Sequence, residues 1–455
     1  FRMNVHLFGA ASSPSCANFA LKRIASDNEE KYGPDAVRFI HRNFYVDDGL
    51  KSVQDTSEAI DLIKRAQDIC SEGGVHLHKF VSNSQEVIKS LPPEECAGSI
   101  QNLDLLKATN HTERVLGVHW CIESDQFLFR ITLMDKPLTR RGILSTVYSM
   151  YDPLGFLGPV ILEGKLILQE LCRDQVGWDD EIPKSLQLRW ESWRNSLLKL
   201  ESLRIQRCYK PDNFGTVVKI ELHHFSDAST TGYSQCSYAR FINETGDIHC
   251  AFVIGKSRVV PLKVMTIPRL ELTAALISVR MSIFLQQELD IGHVTEYFWT
   301  DSRVVLGYIS NDARRFHVFV ANRVQEIRNH TEVPQWHYVK SSDNPADEGS
   351  RGKTVEDFIA NSQWINGPNF LWEDISSYEQ LKPDIDPEDP EIKKVNVLAT
   401  ESVSVEFDIT RLNFFSNWYK AKKAIAICLK YKALLRQKVL RKRLTNSPDN
   451  DKIDC

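Results

Sequence analysis

The chain has 455 residues, of which 42% are hydrophobic and 25% are charged, and its formal net charge is −4 at pH 7. On a prior of roughly 150 residues per domain, this length predicts about two to four domains with apolar cores. The near-neutral charge excludes a chain that is basic throughout, so contact with nucleic acid needs a local basic face. The ten cysteines form no CxxC pair, which argues against a structural zinc. No apolar run is long enough to span a membrane, so no membrane partner is expected.

The first apolar segment surrounds two adjacent acids. Apolar residues alternate over residues 37–53, around the sequence YVDDG at residues 45–49. An Asp-Asp-Gly centre between such runs predicts a β-hairpin. Asp47 and Asp48 would then lie at its tip.

Two helical regions are predicted next. The first begins at Thr56, because Asp55 and Glu58 form a capping-box pattern, and it stops at Gly73. The second covers residues 143–200, where apolar residues and tryptophans recur at helical spacing. We interpret this second region as a connection between two sheets.

The segment from residue 217 to residue 351 predicts three strands, a helix, a strand, a helix, a strand and a last helix. The strongest helix of this set covers residues 270–289. The strands are predicted over residues 217–225, 232–241, 248–256, 296–301 and 335–339. This order is typical of an α/β protein with a mixed sheet and helices on both faces.

Beyond Gly352 the apolar periodicity weakens. Residues 373–391 are acidic and contain prolines, which is a linker composition, so the folded core is expected to end before them. Residues 411–443 contain eleven Lys or Arg and no acid. They predict a basic amphipathic helix, which either binds phosphates or is a solvated face of a further domain, and the solvated face is the commoner outcome.

Four carboxylates in the second half of the chain are predicted at strand ends or helix starts. From these positions their side chains can point to one site. They are Asp227, Glu271, Asp301 and Asp347. Like charges placed this closely repel each other, and divalent cations relieve the repulsion. Hard oxygen ligands suit Mg²⁺, with Mn²⁺ as the alternative ion, and two such ions can drive hydrolysis of a phosphodiester. Any single acid is more often a solvated carboxylate, so the hypothesis depends on the set of four.

In order and spacing this set resembles ribonuclease H of retroelements. The resemblance gives the four metal-ligand positions to Asp227, Glu271, Asp301 and Asp347, in that order. The fourth position has an alternative, because Asp343 is close in sequence. Asp347 is preferred, since the sequence NPAD at residues 344–347 resembles the ending of these domains.

The YVDD sequence at residues 45–48 resembles the catalytic hairpin of reverse transcriptases. The segments at residues 8–14, 74–80 and 115–120 resemble neighbouring blocks of that family in the same order. The resemblance implies that Asp47 and Asp48 are metal-binding catalytic acids. A two-metal polymerase also needs a third aspartate on an earlier strand, which is missing here, so the polymerase is expected to be incomplete.

The DPLG sequence at residues 152–155 and the SDAS sequence at residues 226–229 resemble the BEL/Pao group of long-terminal-repeat retrotransposons. The resemblance implies a fragment of a Pol polyprotein that cleaves RNA in RNA/DNA hybrids. Its partners would be the hybrid, a template-primer and the protease and integrase segments of the parent. It would work in a cytoplasmic retroelement particle or in the nucleus.

Together these patterns predict an α/β chain in four parts. They are the rear of a reverse-transcriptase palm (1–135), a helical thumb or connection (136–212), a ribonuclease-H-like domain (213–352), and an acidic linker with a basic helical tail (353–455), preceding a missing integrase.

Three alternatives stay open. The chain is an inactive relic, it is a nucleic-acid-binding protein retained by a host, or it belongs to a longer chain whose polymerase is complete. A peptidase label attached to Pao-like sequences is not supported, because the required Asp-Thr/Ser-Gly triplet is absent.

Overall fold

The computed structural model describes residues 9–97, 112–115, 117–292, 294–374, 385–393 and 413–445. The chain divides into two compact units, residues 1–393 and residues 394–455. Of the predicted features, Phe8, Leu116 and residues 375–384 and 394–412 lie outside the described ranges. Within those ranges no helix is long and apolar enough to cross a membrane.

The amino-terminal part is helical where the alternating pattern predicted a strand. Its elements are α1 (Ser13–Asp27), α2 (Glu29–Tyr32), α3 (Pro34–Asn43), β1 (Phe44–Tyr45), β2 (Asp48–Gly49), α4 (Thr56–Glu72) and α5 (Gln85–Lys89). The strand predicted over residues 37–43 is wrong, because Ala36, Val37 and Ile40 follow a helical period and are buried together in a core with residues of α1 and α4. The hairpin itself is present but has only two residues in each strand.

Helix α4 begins and ends where its sequence signals predicted. The Asp55 carboxylate accepts a hydrogen bond from the backbone N–H of Glu58 at 2.8 Å. At the other end, the backbone N–H of Gly73 donates to the carbonyl of Cys70 at 3.1 Å. Both helix ends therefore satisfy backbone groups that would otherwise lack partners.

A small antiparallel sheet that the sequence did not predict follows. Its strands, in spatial order, are β3 (Thr112–Val115), β4 (Val118–Cys121), β5 (Gln126–Leu128) and β6 (Arg204–Gln206). Strands β5 and β6 pair across the whole helical connection. Arg207 follows β6, and its guanidinium donates twice to the Asp125 carboxylate before β5, at 2.5 and 2.8 Å, which closes the sheet.

The helical connection between β5 and β6 is confirmed. It consists of α6 (Arg140–Ser149), α7 (Gly158–Arg173) and α8 (Lys184–Ser196). Trp190 and Trp193 are buried, and Trp193 donates from Nε1 to the Val160 carbonyl at 2.9 Å. The tryptophans of α8 therefore fix it against α7.

The main sheet has five strands in the spatial order β11-β10-β7-β8-β9. Its strands are β7 (Val217–Ala228), β8 (Gly232–Asn243), β9 (Ile248–Val259), β10 (Thr295–Thr300) and β11 (Trp336–Tyr338). β7, β8 and β9 are antiparallel neighbours, whereas β10 runs parallel to both β7 and β11. Between and after the last strands lie α9 (Ile267–Glu288), α10 (Arg303–Ser310), α11 (Val318–His330) and α12 (Ala346–Arg351). The predicted order of the strands along the chain is confirmed. Two helices lie between β10 and β11, where the sequence predicted one.

Both faces of this sheet are covered by helices. Phe298 packs with α9, α10 and α11, while its neighbour Trp299 packs in the core that contains α6, α7 and α8. Adjacent strand residues point to opposite faces, so these two cores lie on opposite sides of the sheet. The prediction of an α/β fold with a mixed sheet and helices on both faces is confirmed.

The packed core continues beyond Gly352. Helices α13 (Val355–Ala360) and α14 (Gln363–Asn366) follow it. Trp364 is fully buried, and its Nε1 donates to the Gly155 carbonyl at 2.9 Å. A Cβ atom at Gly255 or Gly349 would collide with the indole ring. These two glycines therefore provide the space in which Trp364 lies.

Part of the predicted acidic linker also makes specific contacts. The buried Glu391 carboxylate binds the Arg269 guanidinium at 2.6 Å, and Asp389 accepts a hydrogen bond from the Tyr308 hydroxyl at 2.9 Å. A bridge between Phe316 and Ile392 adds backbone pairing. Residues 385–393 are therefore packed, contrary to the expectation that the core ends before residue 373. The division into four domains stays a prediction.

The second unit contains one described helix, α15 (Trp418–Thr445). The helix predicted in the basic tail is thus present. Its apolar side chains, such as Ile427, Leu429 and Tyr431, are exposed and do not collect on one face, so an amphipathic character is not observed.

We expect Trp364→Ala to lower the free energy of unfolding by about 3–5 kcal/mol, because it leaves a cavity the size of an indole ring. Urea unfolding followed by circular dichroism measures this. The control is Leu188→Ala on α8, whose side chain is 76% exposed, with an expected loss below about 1 kcal/mol. A loss for Trp364→Ala no larger than that of the control would show that Trp364 does not belong to the core.

Candidate active site

Asp227 lies near the end of β7, and its carboxylate is buried. The hydroxyl of Ser350, on α12, donates to Asp227 Oδ2. In the sheet, Asp227 is aligned with Ser234 of β8, whose hydroxyl donates to the Ala346 carbonyl of α12. Strand and helix therefore hold this carboxylate from two sides.

Asp301 follows directly after β10, which is parallel to β7. The register pairs Thr300 with Ser226, so the next residue of each strand, Asp301 and Asp227, leaves the sheet at the same edge. Asp301 Oδ2 accepts a hydrogen bond from the Ser341 hydroxyl at 2.5 Å. Its Oδ1 is buried, and among the described residues it has no hydrogen-bond partner.

Glu271 lies in the first turns of α9 and is half-buried. The hydroxyl of Ser302, one residue after Asp301, donates to Glu271 Oε2 at 2.5 Å. Ser302 also accepts from the backbone N–H of Val305 and so caps α10. One serine therefore links the end of β10 to the start of α9.

Asp347 lies on α12, the short helix that the NPAD sequence begins. The Asn344 side chain donates to the carbonyl of Ser226 at 3.1 Å and accepts from the backbone N–H of Ala346 at 3.2 Å, which anchors α12 beside the end of β7. Asp347 Oδ1 binds the Arg351 guanidinium at 2.6 Å. The asparagine of this motif thus positions the helix that carries the fourth acid.

The effect of each acid on the pKa of its neighbours shows which acids lie close together. Burial, and then the negative charges of Asp301, Asp347 and Glu271, raise the pKa of Asp227 to about 7, despite the hydrogen bond from Ser350. Burial and the charge of Asp301 also raise the pKa of Glu271. The other three acids therefore act on Asp227 from the same edge of the sheet.

The polymerase-like acids lie elsewhere. Asp47 and Asp48 are exposed at the tip of the hairpin, where Val46 adopts a positive φ of 58°. In the described ranges neither side chain makes a hydrogen bond or an ion pair. Arg42 and Lys51, which flank the hairpin, pair with Glu288 and Asp290 near the end of α9, each at 3.3 Å. The structure therefore holds the hairpin near the end of α9, while its acids contact none of the four carboxylates.

The two histidines before Asp227 serve the fold. His223 accepts from Trp299 Nε1 at 3.1 Å, and His224 bonds to the Ser237 hydroxyl at 2.8 Å. Both rings are fully buried, and burial lowers the pKa of His223 to about 4. Both side chains are therefore part of the packed interior of the sheet.

The donor set fits a hard divalent cation. Four carboxylates lie within one electrostatic field, one buried oxygen of Asp301 has no hydrogen-bond partner among the described residues, and burial and the neighbouring acids raise the pKa of Asp227. As they stand, no three His, Cys, Asp or Glu side chains in the described ranges are close enough to hold a metal. Each acid instead contacts its own donor, namely Ser350, Ser302, Ser341 or Arg351.

These hydrogen-bond donors were not predicted from the sequence. Ser302 and Ser350 lie within three residues of Asp301 and Asp347, so proximity in sequence offered a signal. Ser341 lies in a turn after β11 and offered none.

One known protein family matches part of this chain. Residues 139–302 match the sequence model described as the Pao retrotransposon-like RNaseH-like domain. The match supports a Pao-type retrotransposon RNase H region in this chain. It begins at the cap of α6, and it includes Asp227, Glu271 and Asp301 but not Asp347. A search of curated proteins finds no match.

Solved structures of RNase H proteins align with about a third of the chain. RNase H1 from Halobacterium salinarum NRC-1 has 9% identity and a TM-score of 0.20, covering 28% of this chain and 90% of its own. The N-terminal RNase H domain of rv2228c from Mycobacterium tuberculosis, fused to maltose binding protein, has 11% identity and a TM-score of 0.21, with coverages of 28% and 92%. LC11-RNase H1 in complex with an RNA/DNA hybrid has 14% identity and a TM-score of 0.19, with coverages of 29% and 92%.

We expect Asp227→Asn to stabilise the metal-free protein at pH 8 by on the order of 2 kcal/mol. The raised pKa means that folding favours the protonated acid, so this group reduces stability as pH rises from its ordinary value of 3.8 to about 7. The gain should therefore shrink towards pH 4.

Thermal unfolding in EDTA at both pH values measures the effect. Asp343→Asn is the matched control, and its melting temperature should not change. A lower melting temperature of Asp227→Asn at pH 8 would contradict the proposed repulsion.

Proposed function

We propose that this chain carries a ribonuclease H that hydrolyses the RNA strand of RNA/DNA hybrids with Mg²⁺, as part of the Pol polyprotein of a BEL/Pao-type retroelement. The observation that carries the proposal is the convergence of four carboxylates where the parallel strands β7 and β10 end. The Pao family match over residues 139–302 supports the same assignment.

Asp227, Glu271, Asp301 and Asp347 are the residues that would hold the cations. The chemistry that two bound Mg²⁺ ions supply at such a site is an activated water and stabilisation of the leaving oxygen of a phosphodiester. The free Oδ1 of Asp301 is available without breaking any hydrogen bond. Each of the other acids holds a hydroxyl or guanidinium donor on one of its two oxygens.

Arg351 has a second use in this proposal. Its guanidinium is held by Asp347 and lies in the field of Asp227 and Asp301, which together raise its pKa. If Asp347 held a cation in place of Arg351, the guanidinium would be free beside the carboxylates. A freed guanidinium there can donate two parallel hydrogen bonds to a phosphate of the substrate.

The substrate class follows from the chemistry of the strand that is cut. Only RNA carries the 2′-hydroxyl, a donor and an acceptor by which a protein distinguishes the two strands of a hybrid. The hairpin with Asp47 and Asp48 would contribute binding of the template-primer. As a metal site it would be incomplete, because two exposed acids lack the third that a polymerase needs. The protease and integrase of a parent polyprotein, and a cytoplasmic particle or the nucleus as location, complete the proposal.

The alternative is an inactive relic or host-retained protein that binds nucleic acid without turnover. The intact set of four acids opposes this alternative. The two differ in whether the purified chain cuts a hybrid.

We expect the full chain with Mg²⁺ to cleave the RNA strand of a labelled RNA/DNA hybrid. Asp301→Asn should reduce the rate by at least about a hundredfold, because it removes a charged ligand from the cation site. EDTA should abolish cleavage, and a DNA duplex of the same sequence should remain intact. Hybrid binding without cleavage by the folded protein would establish the relic.

Asp347 and Asp343 give a sharper test of the fourth ligand. We expect Asp347→Asn to reduce the cleavage rate by at least about tenfold, whereas Asp343→Asn should leave it within about twofold. The same hybrid assay, run across a range of Mg²⁺ concentrations, measures both. The opposite order of the two losses would move the fourth ligand to Asp343.

A further inference from the structure

A cavity of about 750 Å³ lies along the outer edge of β9, between this strand and helices α6 and α7. Its wall contains four cations and one acid. The cations are Arg140, Lys165, Lys256 and Arg258, and the acid is Asp152. In a chain of net charge −4, this is a local concentration of positive charge of the kind that nucleic-acid contact requires.

Among the described residues none of the four cations of this cavity makes an ion pair, although the charge of Asp152 acts on Lys165. Lys165 donates from Nζ to the Ser257 carbonyl at 3.2 Å, and Arg140 lies over the Trp178 ring with its guanidinium carbon 4.1 Å from the centroid. Burial, and then repulsion by Arg258, lowers the pKa of Lys256, as expected where like charges are held close together.

The single acid is engaged by the backbone. The Asp152 carboxylate accepts from the N–H groups of Phe156 and Leu157 at 2.9 and 2.7 Å, before α7 begins. Burial raises the pKa of Asp152 to about 6. Its charge is directed at the start of the helix, so it opposes an anion in the cavity less than a free carboxylate would.

The register of the sheet relates this cavity to the carboxylate site. Asp227 of β7 is aligned with Ser234 of β8, and Ser234 is aligned with Ser257 of β9. Two strand spacings separate the first from the last, which is about 10 Å. Ser257 lines the cavity. Lys256 and Arg258 flank Ser257, and because side chains alternate along a strand they point to the face opposite to that of Asp227 and Ser257. A nucleic-acid strand that reaches both the carboxylates and these two cations therefore passes over this edge of the sheet.

Aromatic side chains complete the lining. Tyr148 and Trp178 are 69% and 46% exposed, and both face the cavity with Tyr233. Aromatic surface beside cations is the combination that binds the base or sugar together with the phosphate of a nucleic-acid strand. The cavity is also larger than a single phosphate needs.

We propose that this cavity binds the sugar-phosphate backbone of the nucleic acid that the carboxylate site acts on, a few nucleotides away from the point of cleavage. The proposal rests on the proposed function for the identity of the ligand. Arg258 and Lys256 bind phosphate from the exposed rim, and Lys165 binds it from the floor. The helical connection thereby extends the nucleic-acid surface beyond the ribonuclease-H-like sheet.

Binding without metal tests this separately from catalysis. The full chain is titrated into a fluorescent RNA/DNA hybrid in EDTA at several salt concentrations. We expect the double variant K256Q/R258Q to weaken binding by about tenfold at 0.1 M salt and to lower the salt slope by about two. The control K64Q/K184Q removes two exposed lysines outside the cavity and should change affinity by less than about twofold. Circular dichroism verifies that both variants are folded.

Each outcome decides the proposal. Weaker binding only in K256Q/R258Q supports it, whether or not the wild-type chain cleaves the hybrid. Equal affinities and slopes in the two double variants overturn it, even if cleavage is observed, and so does a wild-type chain that does not bind the hybrid. Competition by AMP below about 1 mM would instead identify the cavity as a site for free nucleotides and overturn the backbone proposal.

Discussion

The parallel pairing of β7 with β10 is the constraint on which the candidate site depends. Because Thr300 is in register with Ser226, the residues that follow, Asp301 and Asp227, must leave the sheet at the same edge. Neither acid can move into the core, since Trp299 and Phe225, two residues earlier in each strand, stack on each other there. The fold thus holds like charges together. Their repulsion can be relieved only by protonation, by donors or by a cation, and the raised pKa of Asp227 reflects this.

The other two acids are brought to that edge by hydrogen bonds more than by the sheet. Glu271 depends on Ser302, and Asp347 depends on the anchoring of α12 by Asn344. Ser229 adds a further anchor, because its hydroxyl donates to the Ser350 carbonyl at 2.7 Å. Three of the carboxylates accept from serine hydroxyls, which carry no positive charge. A divalent cation therefore attracts the same oxygens more strongly than these donors do. Rigid strands and exchangeable donors are therefore combined in one site.

The sequence predicted the elements whose signals are local. The strands of the main sheet alternate in polarity, and α4 carries its own cap at Asp55, so both were found. Strand β6 was missed because it pairs with β5 across three helices, and no short-range pattern encodes such a pairing. Strands β3, β4 and β5 pair with near neighbours, so a local signal was present there and was overlooked. Helix α3 was mistaken for a strand, since Val37 and Phe39 alternate with polar Arg38, while the helical spacing of Val37 and Ile40 was not recognised.

The site was predictable to a similar extent. The order and spacing of the acids indicated which four carboxylates would converge, while their donors depended on tertiary contacts such as that between Ser341 and Asp301. Trp364 illustrates the same limit. Its role as a core residue depends on the space left by Gly255 and Gly349, which come from distant parts of the chain.

The edge of the main sheet explains why the helical connection and the sheet form one structure. Strand β9 is an edge strand, and unpaired edge groups invite aggregation unless they are covered. Here the Gly255 N–H donates to the Leu154 carbonyl at 2.8 Å, and Lys165 of α7 donates to the Ser257 carbonyl. A side chain that satisfies an edge carbonyl must be a donor, and a lysine does so while bringing a positive charge. Protection of the edge and attraction for a polyanion are thus supplied by the same residue. This is a physical reason for the family match to begin at the first helix of the connection and not at β7.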